Sequence, residues 1–186
     1  MKKLIVDLDD VLALHSYLKM LNAFAGTNYK YEDLTDYYVE KMLPLDRRIR
    51  YKEFFKNNNV YDYAEVAPNS RRVLKELMSE YDIYVCSSYY SGIDKDITPE
   101  LLEKKCNYLK QNFEFIPSQN YIFINDKSLI EADVKIDDRI ENLKNAKTKL
   151  LFTTYLNRND SKPDVIRVDN WKDVEKQLIK KPIYKK

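Results

Sequence analysis

The stretch LIVDLDD, residues 4–10, determines how the rest of the chain is interpreted. Its three leading apolar residues are typical of a buried strand, and the acidic residues that follow put carboxylates at the carboxyl end of that strand. Asp7 and Asp9 are two positions apart, so their side chains would point to the same face if the strand continued. The pattern therefore predicts a pair of carboxylates at one edge of a sheet.

Strands and helices alternate over most of the chain after Pro68, which indicates a parallel sheet flanked by helices. Further strands are predicted at residues 83–86, 121–124, 134–136, 149–152 and 165–168. Helices are predicted at residues 14–25, 46–56 and 139–147, and others begin near residues 68, 98 and 170. Ligands of such sheets bind beyond the carboxyl ends of the strands, so the side chains at those ends are the candidate functional residues.

The segment between the first strand and Pro68 has a different character. Residues 28–67 contain no apolar run of strand length and are rich in Tyr, Phe and charged residues. We therefore predict an α/β core over residues 1–14 and 68–186, with a small helical cap over residues 15–67.

Composition limits the classes of partner. The 186 residues include 32 basic and 30 acidic side chains, so a general basic surface for nucleic acid is not indicated, and no stable nucleic-acid complex is expected. No apolar run reaches the length of a membrane span, so no membrane partner is expected. The two cysteines, Cys86 and Cys106, are expected to be reduced thiols in a cytoplasmic protein. A homodimer is retained as a hypothesis.

Three predicted strand ends carry polar side chains that match the needs of phosphate-ester cleavage: Asp7 with Asp9, Ser87 with Ser88, and Asp137 with Asp138. A carboxylate nucleophile and a phosphate repel each other by roughly 4 kcal/mol per charge pair at about 4 Å and an effective dielectric of about 20. A metal cation and a lysine are the natural remedy, and Lys127 is the candidate lysine. The second carboxylate of the pair can protonate the leaving oxygen.

Four segments in this order resemble the motifs of the haloacid-dehalogenase superfamily. They are residues 7–12 (DLDDVL), residues 83–88 (IYVCSS), Lys127, and residues 136–139 (IDDR). Within that superfamily the chain is similar to the 5′(3′)-deoxyribonucleotidases, in the ending of the fourth motif, in residues 127–133 and in the length of the insertion. The resemblance implies a Rossmann-like core under a helical cap and a nucleoside monophosphate, in particular a deoxyribonucleotide, as the small-molecule substrate.

The resemblance also implies roles for individual residues. Asp7 would be the nucleophile that forms an aspartyl-phosphate, and Asp9 the general acid and base. One Mg²⁺ would be bound by the side chains of Asp7 and Asp137 and by the backbone carbonyl of Asp9. Ser87 and Lys127 would hold the phosphate. Ser88 is a further phosphate candidate, and Asp138 is expected behind the metal, where it would orient Lys127 or a metal-bound water.

Two residues depart from the family pattern. Asp10 stands where family members usually have Gly, and His15 stands where an aromatic residue usually faces the base. Tyr37 and Tyr38 lie roughly where the family has an aromatic pair that stacks on the base. His15, Tyr37 and Tyr38 are therefore candidate base-binding residues, with a purely structural role as the alternative for each.

Several alternatives stay open at this level. Lys135 is a rival for the role of Lys127, although it falls within a predicted buried strand. The same chemistry could act on a sugar phosphate or on a 3′-phosphate end of a nucleic acid. A non-catalytic nucleotide-binding protein could also be built on the same fold.

Overall fold

A computed structural model describes residues 1–89 and 98–179 of the chain. Its eight strands are β1 (Lys2–Val6), β2 (Ala13–Leu14), β3 (Glu65–Val66), β4 (Tyr81–Ser87), β5 (Tyr121–Phe123), β6 (Ala132–Asp137), β7 (Ala146–Phe152) and β8 (Ile166–Val168). Its five α-helices are α1 (Ser16–Ala25), α2 (Leu45–Asn57), α3 (Ser70–Leu77), α4 (Thr98–Asn112) and α5 (Trp171–Leu178).

Six of the strands form one parallel sheet in the order β5-β4-β1-β6-β7-β8, so the predicted α/β class is confirmed. The strand β1 lies between β4 and β6, and Val6 pairs with Val85 on one side and with Ile136 on the other. This register brings Asp7 level with Asp137 and one residue from Ser87. The three predicted polar strand ends therefore meet at one edge of the sheet.

Helices flank the sheet and bury their apolar faces against it. The helix α3 buries Val73, Leu74 and Leu77. The helix α5 begins at Asn170, whose side chain accepts hydrogen bonds from the backbone N–H groups of residues 172 and 173. Trp171 is buried and donates from Nε1 to the carbonyl of Val11 at 3.0 Å, which ties α5 to the segment after β1.

The chain between β2 and β3, which we call the insertion, contains α1, α2 and three short 3₁₀ turns. These two short strands pair antiparallel, Ala13 with Val66 and Leu14 with Glu65, and so join the two ends of the insertion. An aromatic cluster packs α1 against α2, with the ring centroids of Phe24 and Tyr51 5.3 Å apart. The division into a core and a cap stays a prediction, and its core range includes residues 90–97 and 180–186, which lie outside the described residues.

The predicted helix over residues 139–147 is wrong. A single 3₁₀ turn, Ile140–Leu143, occupies this stretch, and β7 already begins at Ala146. Asn145 has a φ of 59°, in the left-handed region that Asn tolerates better than most residues, and this conformation ends any helical path. The short turn places β7 directly beside β6.

Both cysteines are free, as predicted. Burial raises the pKa of the Cys86 thiol to about 12, so this thiol stays protonated at neutral pH. Within the described residues, no helix is both long enough and apolar enough to cross a lipid bilayer.

Candidate active site

The side chain of Asp7 is anchored at the end of β1. Its Oδ1 accepts a hydrogen bond from the backbone N–H of Leu8 at 2.7 Å and lies 2.7 Å from Nζ of Lys127. The same Nζ is 2.7 Å from Oδ2 of Asp137 at the end of β6. Lys127 thus bridges two of the predicted strand ends.

Lys127 stays charged although it is buried. Burial by itself would lower the pKa of its ammonium group, but the carboxylates of Asp137 and Asp7 outweigh burial and raise the pKa. The rival Lys135 has a different role. Its Nζ donates to the backbone carbonyls of Lys127, Asn142 and Lys144 at 2.8, 3.3 and 2.6 Å, and so holds the loops around β6 together.

Three buried carboxylates converge beside this bridge. Oxygen atoms of Asp7, Asp137 and Asp138 all lie within 4.8 Å of one another. Burial, then repulsion from Asp137, raises the pKa of Asp7 to about 7. Burial, then repulsion from Asp137 and Asp7, raises the pKa of Asp138 well above its ordinary value. Crowded carboxylate oxygens with raised pKa values fit a hard divalent cation, which would offset their repulsion.

Asp137 and Asp138 differ in the number of hydrogen bonds that their carboxylates already accept. Oδ2 of Asp137 accepts from Lys127, and its Oδ1 accepts from the backbone N–H of Arg139 and from Nδ2 of Asn142, both at 2.9 Å. The carboxylate of Asp138 accepts no hydrogen bond from residues 1–89 or 98–179. Asp138 is therefore the freer ligand of the two, whereas the sequence favoured Asp137.

The side chain of Asp9 lies outside this carboxylate cluster. Its Oδ1 accepts from the hydroxyl of Tyr61 at 2.8 Å, and its Oδ2 accepts from Nζ of Lys105 at 2.8 Å and from the hydroxyl of Ser87 at 3.2 Å. Burial alone would raise the pKa of Asp9, but Lys105 and Tyr61 outweigh burial and lower it. Tyr61 and Lys105 were not among the residues predicted from the sequence.

Only one of these two residues carries a signal in the sequence. Lys105 lies on the buried face of α4, between Leu101 and Tyr108, where an apolar residue is the ordinary occupant. A lysine at such a position indicates a buried partner. Tyr61 is one of 16 tyrosines, and nothing in the sequence distinguishes it from the others.

A pocket of about 380 Å³ opens above these groups. Its core side presents the charged and hydroxyl groups: Asp7, Asp9, Ser87, Ser88, Lys105, Lys127 and Asp138. Its insertion side presents Tyr17, Tyr37, Tyr38 and Glu40. The guanidinium carbon of Arg139 lies 4.1 Å from the centroid of the Tyr37 ring and covers one face of that ring. The pocket thus joins an aromatic wall to a charged floor.

Ser88 and His15 lie in different surroundings. Ser88 lines the pocket, and its hydroxyl bonds to Oδ1 of Asn125 at 2.5 Å. His15 lies outside the pocket and lines a neighbouring cavity of about 710 Å³. Its backbone has a φ of 68° just before α1, and its ring packs edge-on against Tyr31 with centroids 4.8 Å apart. Tyr17 is the residue near the start of α1 that lines the pocket. The larger cavity contains none of the groups that contact Asp7, so the smaller pocket is the candidate active site.

Asp10 occupies a backbone position that suits glycine. Its φ is 57°, in the left-handed region, which accounts for the Gly that the family usually has at this position. Its carboxylate accepts two hydrogen bonds. It accepts from the hydroxyl of Tyr31 at 2.8 Å and from the backbone N–H of His15 at 3.3 Å.

Comparison with solved structures supports the fold. A haloacid dehalogenase-like family hydrolase from Streptococcus pneumoniae matches 95% of this chain and 98% of its own with a TM-score of 0.51 and 16% identity. A phosphoserine phosphohydrolase-like protein from Francisella tularensis matches 96% of this chain and all of its own with a TM-score of 0.53 and 15% identity. These two likenesses show that the chain shares the fold of both proteins.

Sequence comparison narrows the assignment. Residues 1–183 match the model of the family described as 5′ nucleotidase, deoxy (pyrimidine), cytosolic type C protein (NT5C), and the chain belongs to this family. The 5′(3′)-deoxyribonucleotidases of Bacillus subtilis strain 168 and of Bacillus phage SPbeta are each 33% identical over 186 residues, which cover 96% of this chain and all of theirs. The protein is therefore a phosphoric monoester hydrolase.

Proposed function

We propose that the protein dephosphorylates deoxyribonucleoside 5′- or 3′-monophosphates with the help of a divalent cation, Mg²⁺ in particular. The observation that carries the proposal is the pocket itself, in which a nucleophile-bearing charged floor faces a wall of tyrosines. The names of the Bacillus relatives support the same substrate class. Aromatic rings can stack on any nucleobase, and the floor supplies the groups that phosphate needs.

The cation would be held by the buried carboxylates. Asp7 and Asp138 would be side-chain ligands, and the backbone carbonyl of Asp9 would add a third oxygen. Asp137, already bonded to Lys127, would hold that lysine in position beside the other carboxylates. When bound, the cation would offset the negative charge of the carboxylates and of the phosphate.

The residues of the chain then account for two steps. An oxygen of Asp7 attacks phosphorus, which forms the aspartyl-phosphate and breaks the bond to the ester oxygen of the sugar. Asp9, which takes up a proton from solvent when the negative phosphate binds beside it, gives that proton to the leaving oxygen. In the second step Asp9 takes a proton from water, the water oxygen attacks phosphorus, and the bond to Asp7 breaks to release inorganic phosphate.

Other groups hold the substrate while this occurs. Lys127 and Ser87 would bind phosphate oxygens, with Ser88 beside them at the end of β4. Tyr37 and Tyr38 would contact the base, and Tyr17, not His15, would extend that surface. A buried lysine opposite the nucleophile lowers the repulsion between Asp7 and the incoming phosphate.

The test is phosphate release from a panel of ribo- and deoxyribonucleoside 5′- and 3′-monophosphates, each with Mg²⁺ and with EDTA. We expect turnover of deoxyribonucleotides in Mg²⁺, loss of turnover in EDTA, and a loss of at least about 10³-fold in Asp7→Asn. Asp133→Asn is a matched control because Asp133 is bonded to Lys147 and to the backbone of Lys3, away from the pocket.

Different outcomes would contradict different parts of the proposal. If sugar phosphates or a 3′-phosphorylated oligonucleotide were hydrolysed faster than every mononucleotide, nucleoside monophosphates would not be the substrate class. Full turnover by Asp7→Asn would remove the covalent mechanism. Nucleotide binding with no phosphate release in Mg²⁺ would show a binding protein.

A further inference from the structure

The carboxylate of Asp9 is held from two sides by residues distant in sequence. Tyr61 reaches Oδ1 from the 3₁₀ turn Val60–Tyr63, close to the end of the insertion. Lys105 reaches Oδ2 from α4. Both side chains are buried, with only 5% of Tyr61 and 2% of Lys105 exposed. Because both side chains are buried, these contacts are part of the packed interior and are not transient contacts between surface groups.

The hydrogen bonds leave the two oxygens of Asp9 unequal. Nζ of Lys105 contacts Oδ2 of Asp9 at 2.8 Å, the hydroxyl of Ser87 at 2.6 Å and the carbonyl of Ser88 at 3.1 Å, so its three protons are all engaged. Since the Ser87 hydroxyl accepts from Lys105, its own proton is directed to Oδ2 of Asp9. Oδ2 therefore has both acceptor sites filled, whereas Oδ1 accepts, among residues 1–89 and 98–179, from Tyr61 alone and keeps one site for a proton.

We propose that Tyr61 and Lys105 are positioning residues that direct Oδ1 of Asp9 to the leaving oxygen of the substrate. The inference rests on the proposed function, in which Asp9 protonates that oxygen. A short carboxylate side chain has few rotamers, and two donors on opposite sides leave it one orientation. Proton transfer requires hydrogen-bond distance to the leaving oxygen, so a fixed orientation speeds the step, whereas a mobile carboxylate slows it.

Tyr61 gives the cleaner test of the two. Tyr61 does not line the pocket, and its hydroxyl contacts Asp9 and, by a hydrogen bond, Tyr17. An effect passed on through Tyr17 would change the binding of both esters alike, whereas loss of the contact with Asp9 should affect only the oxygen ester. The neighbouring Tyr108 provides a matched control, since its ring centroid is 5.0 Å from that of Tyr61 and its buried hydroxyl has no hydrogen-bond partner within the described residues. Tyr61→Phe and Tyr108→Phe each remove one hydroxyl from this pair of neighbouring rings, but only Tyr61→Phe removes a hydrogen bond to Asp9.

The experiment compares two esters that differ in one atom. They are thymidine 5′-monophosphate and its analogue with sulfur in place of the 5′ bridging oxygen. In both esters, Asp7 attacks phosphorus and the bond to the bridging atom breaks. The oxygen ester releases an alkoxide, which needs a proton in order to leave, and the sulfur ester releases a thiolate. The thiolate needs no proton, because an ordinary thiol has a pKa of about 8.5. The quantity measured is kcat/KM, which reports the steps up to release of the leaving group.

We expect Tyr61→Phe to lower kcat/KM for the oxygen ester by about 10-fold to 100-fold, and for the sulfur ester by less than about threefold. Lys105→Met should show the same preference for the sulfur ester, in addition to any loss common to both esters. Tyr108→Phe should change neither value by more than about twofold. Circular dichroism and thermal melts establish that each variant is folded, and Lys105→Met keeps the test available if Tyr61→Phe does not fold.

Two results would overturn the inference: an equal loss on both esters in Tyr61→Phe and Lys105→Met, or no loss on the oxygen ester in either. The first would mean that these residues support the pocket as a whole. Failure of the proposed function has a different signature. Wild-type protein would then hydrolyse neither ester in Mg²⁺, and both proposals would fall together.

Discussion

The hydroxyl of Tyr31 donates a 2.8 Å hydrogen bond to Oδ1 of Asp10 and so fastens the insertion to the loop that follows β1. Burial raises the pKa of Asp10, and the hydrogen bonds from Tyr31 and from the backbone of His15 only partly offset this rise. One residue earlier, Asp9 is held in the same way by Tyr61. Two tyrosines of the insertion thus donate hydrogen bonds to two consecutive acidic residues in the loop that follows β1.

Loss of the Tyr31 hydroxyl should weaken this attachment. We expect Tyr31→Phe to lower the free energy of unfolding by about 1–2 kcal/mol, because a partly buried carboxylate loses one of its hydrogen bonds. Urea unfolding measures the change. Tyr51→Phe is the control, since the buried Tyr51 hydroxyl has no partner within the described residues. A loss of the same size in both variants would mean that the Tyr31–Asp10 bond adds nothing.

The two neighbouring acids at the end of β6 should respond differently to the same change. Asp138→Asn should weaken Mg²⁺ binding by at least about tenfold and leave the metal-free stability unchanged or raised, since Asp138 suffers repulsion without a bonded cation. Asp137→Asn should lower the metal-free stability by about 2 kcal/mol, since Lys127 loses one of its two carboxylates. Calorimetric Mg²⁺ titration and urea unfolding separate the two effects. Equal effects of both variants on metal affinity would contradict the assignment.

The carboxylate cluster should make the metal-free protein sensitive to pH. Burial and repulsion from Asp137 raise the pKa of Asp7 from 3.8 to about 7. Between these values the folded state binds more protons than the unfolded state, so stability is highest at the acid end and falls as pH rises through the folded pKa. In EDTA we expect stability to fall between about pH 4 and pH 7, and Asp7→Asn to flatten this fall. An unchanged slope in Asp7→Asn would show that other groups cause it.

The tyrosine wall can be tested with a matched pair of aromatic residues. Tyr37→Ala should raise KM for nucleoside monophosphates about tenfold with a smaller change in kcat, because stacking on a base contributes roughly 1–3 kcal/mol. Tyr155→Ala is the control. Its ring is also covered by a guanidinium, that of Arg158 at 3.6 Å, but it lines the neighbouring cavity. Equal changes in KM for both variants would exclude base stacking on Tyr37.

The main groups of the site could be predicted because strand ends leave a clear pattern. Apolar runs that end in Asp7, Ser87 and Asp137 identify parallel strands and the edge at which they end. The sheet order then brings these ends together without further information. Lys127 could be named as a candidate from the needs of phosphate chemistry, but the family resemblance favoured it over Lys135, since a lysine in a 3₁₀ turn has no periodic pattern of its own.

The remainder depends on contacts between segments that local patterns do not encode. The bond from Tyr61 to Asp9 spans 52 positions, and that from Lys105 spans 96. His15 was a candidate to face the substrate because it stands where the family usually has an aromatic residue facing the base, but the left-handed backbone at that residue turns its ring towards Tyr31. The helix predicted over residues 139–147 failed because its polar spacing resembles a helix, while the turn through Asn145 is set by the pairing of β7 with β6.

The central claim is that Asp7 and Asp138 share one divalent cation. Anomalous diffraction from crystals of the protein soaked in Mn²⁺, a cation with the same preference for oxygen ligands, tests it most directly. We predict one anomalous peak within coordination distance of carboxylate oxygens of both Asp7 and Asp138, absent in Asp138→Asn crystals soaked in the same way. A wild-type crystal with Mn²⁺ bound elsewhere, or with no peak between these two side chains, would contradict the account.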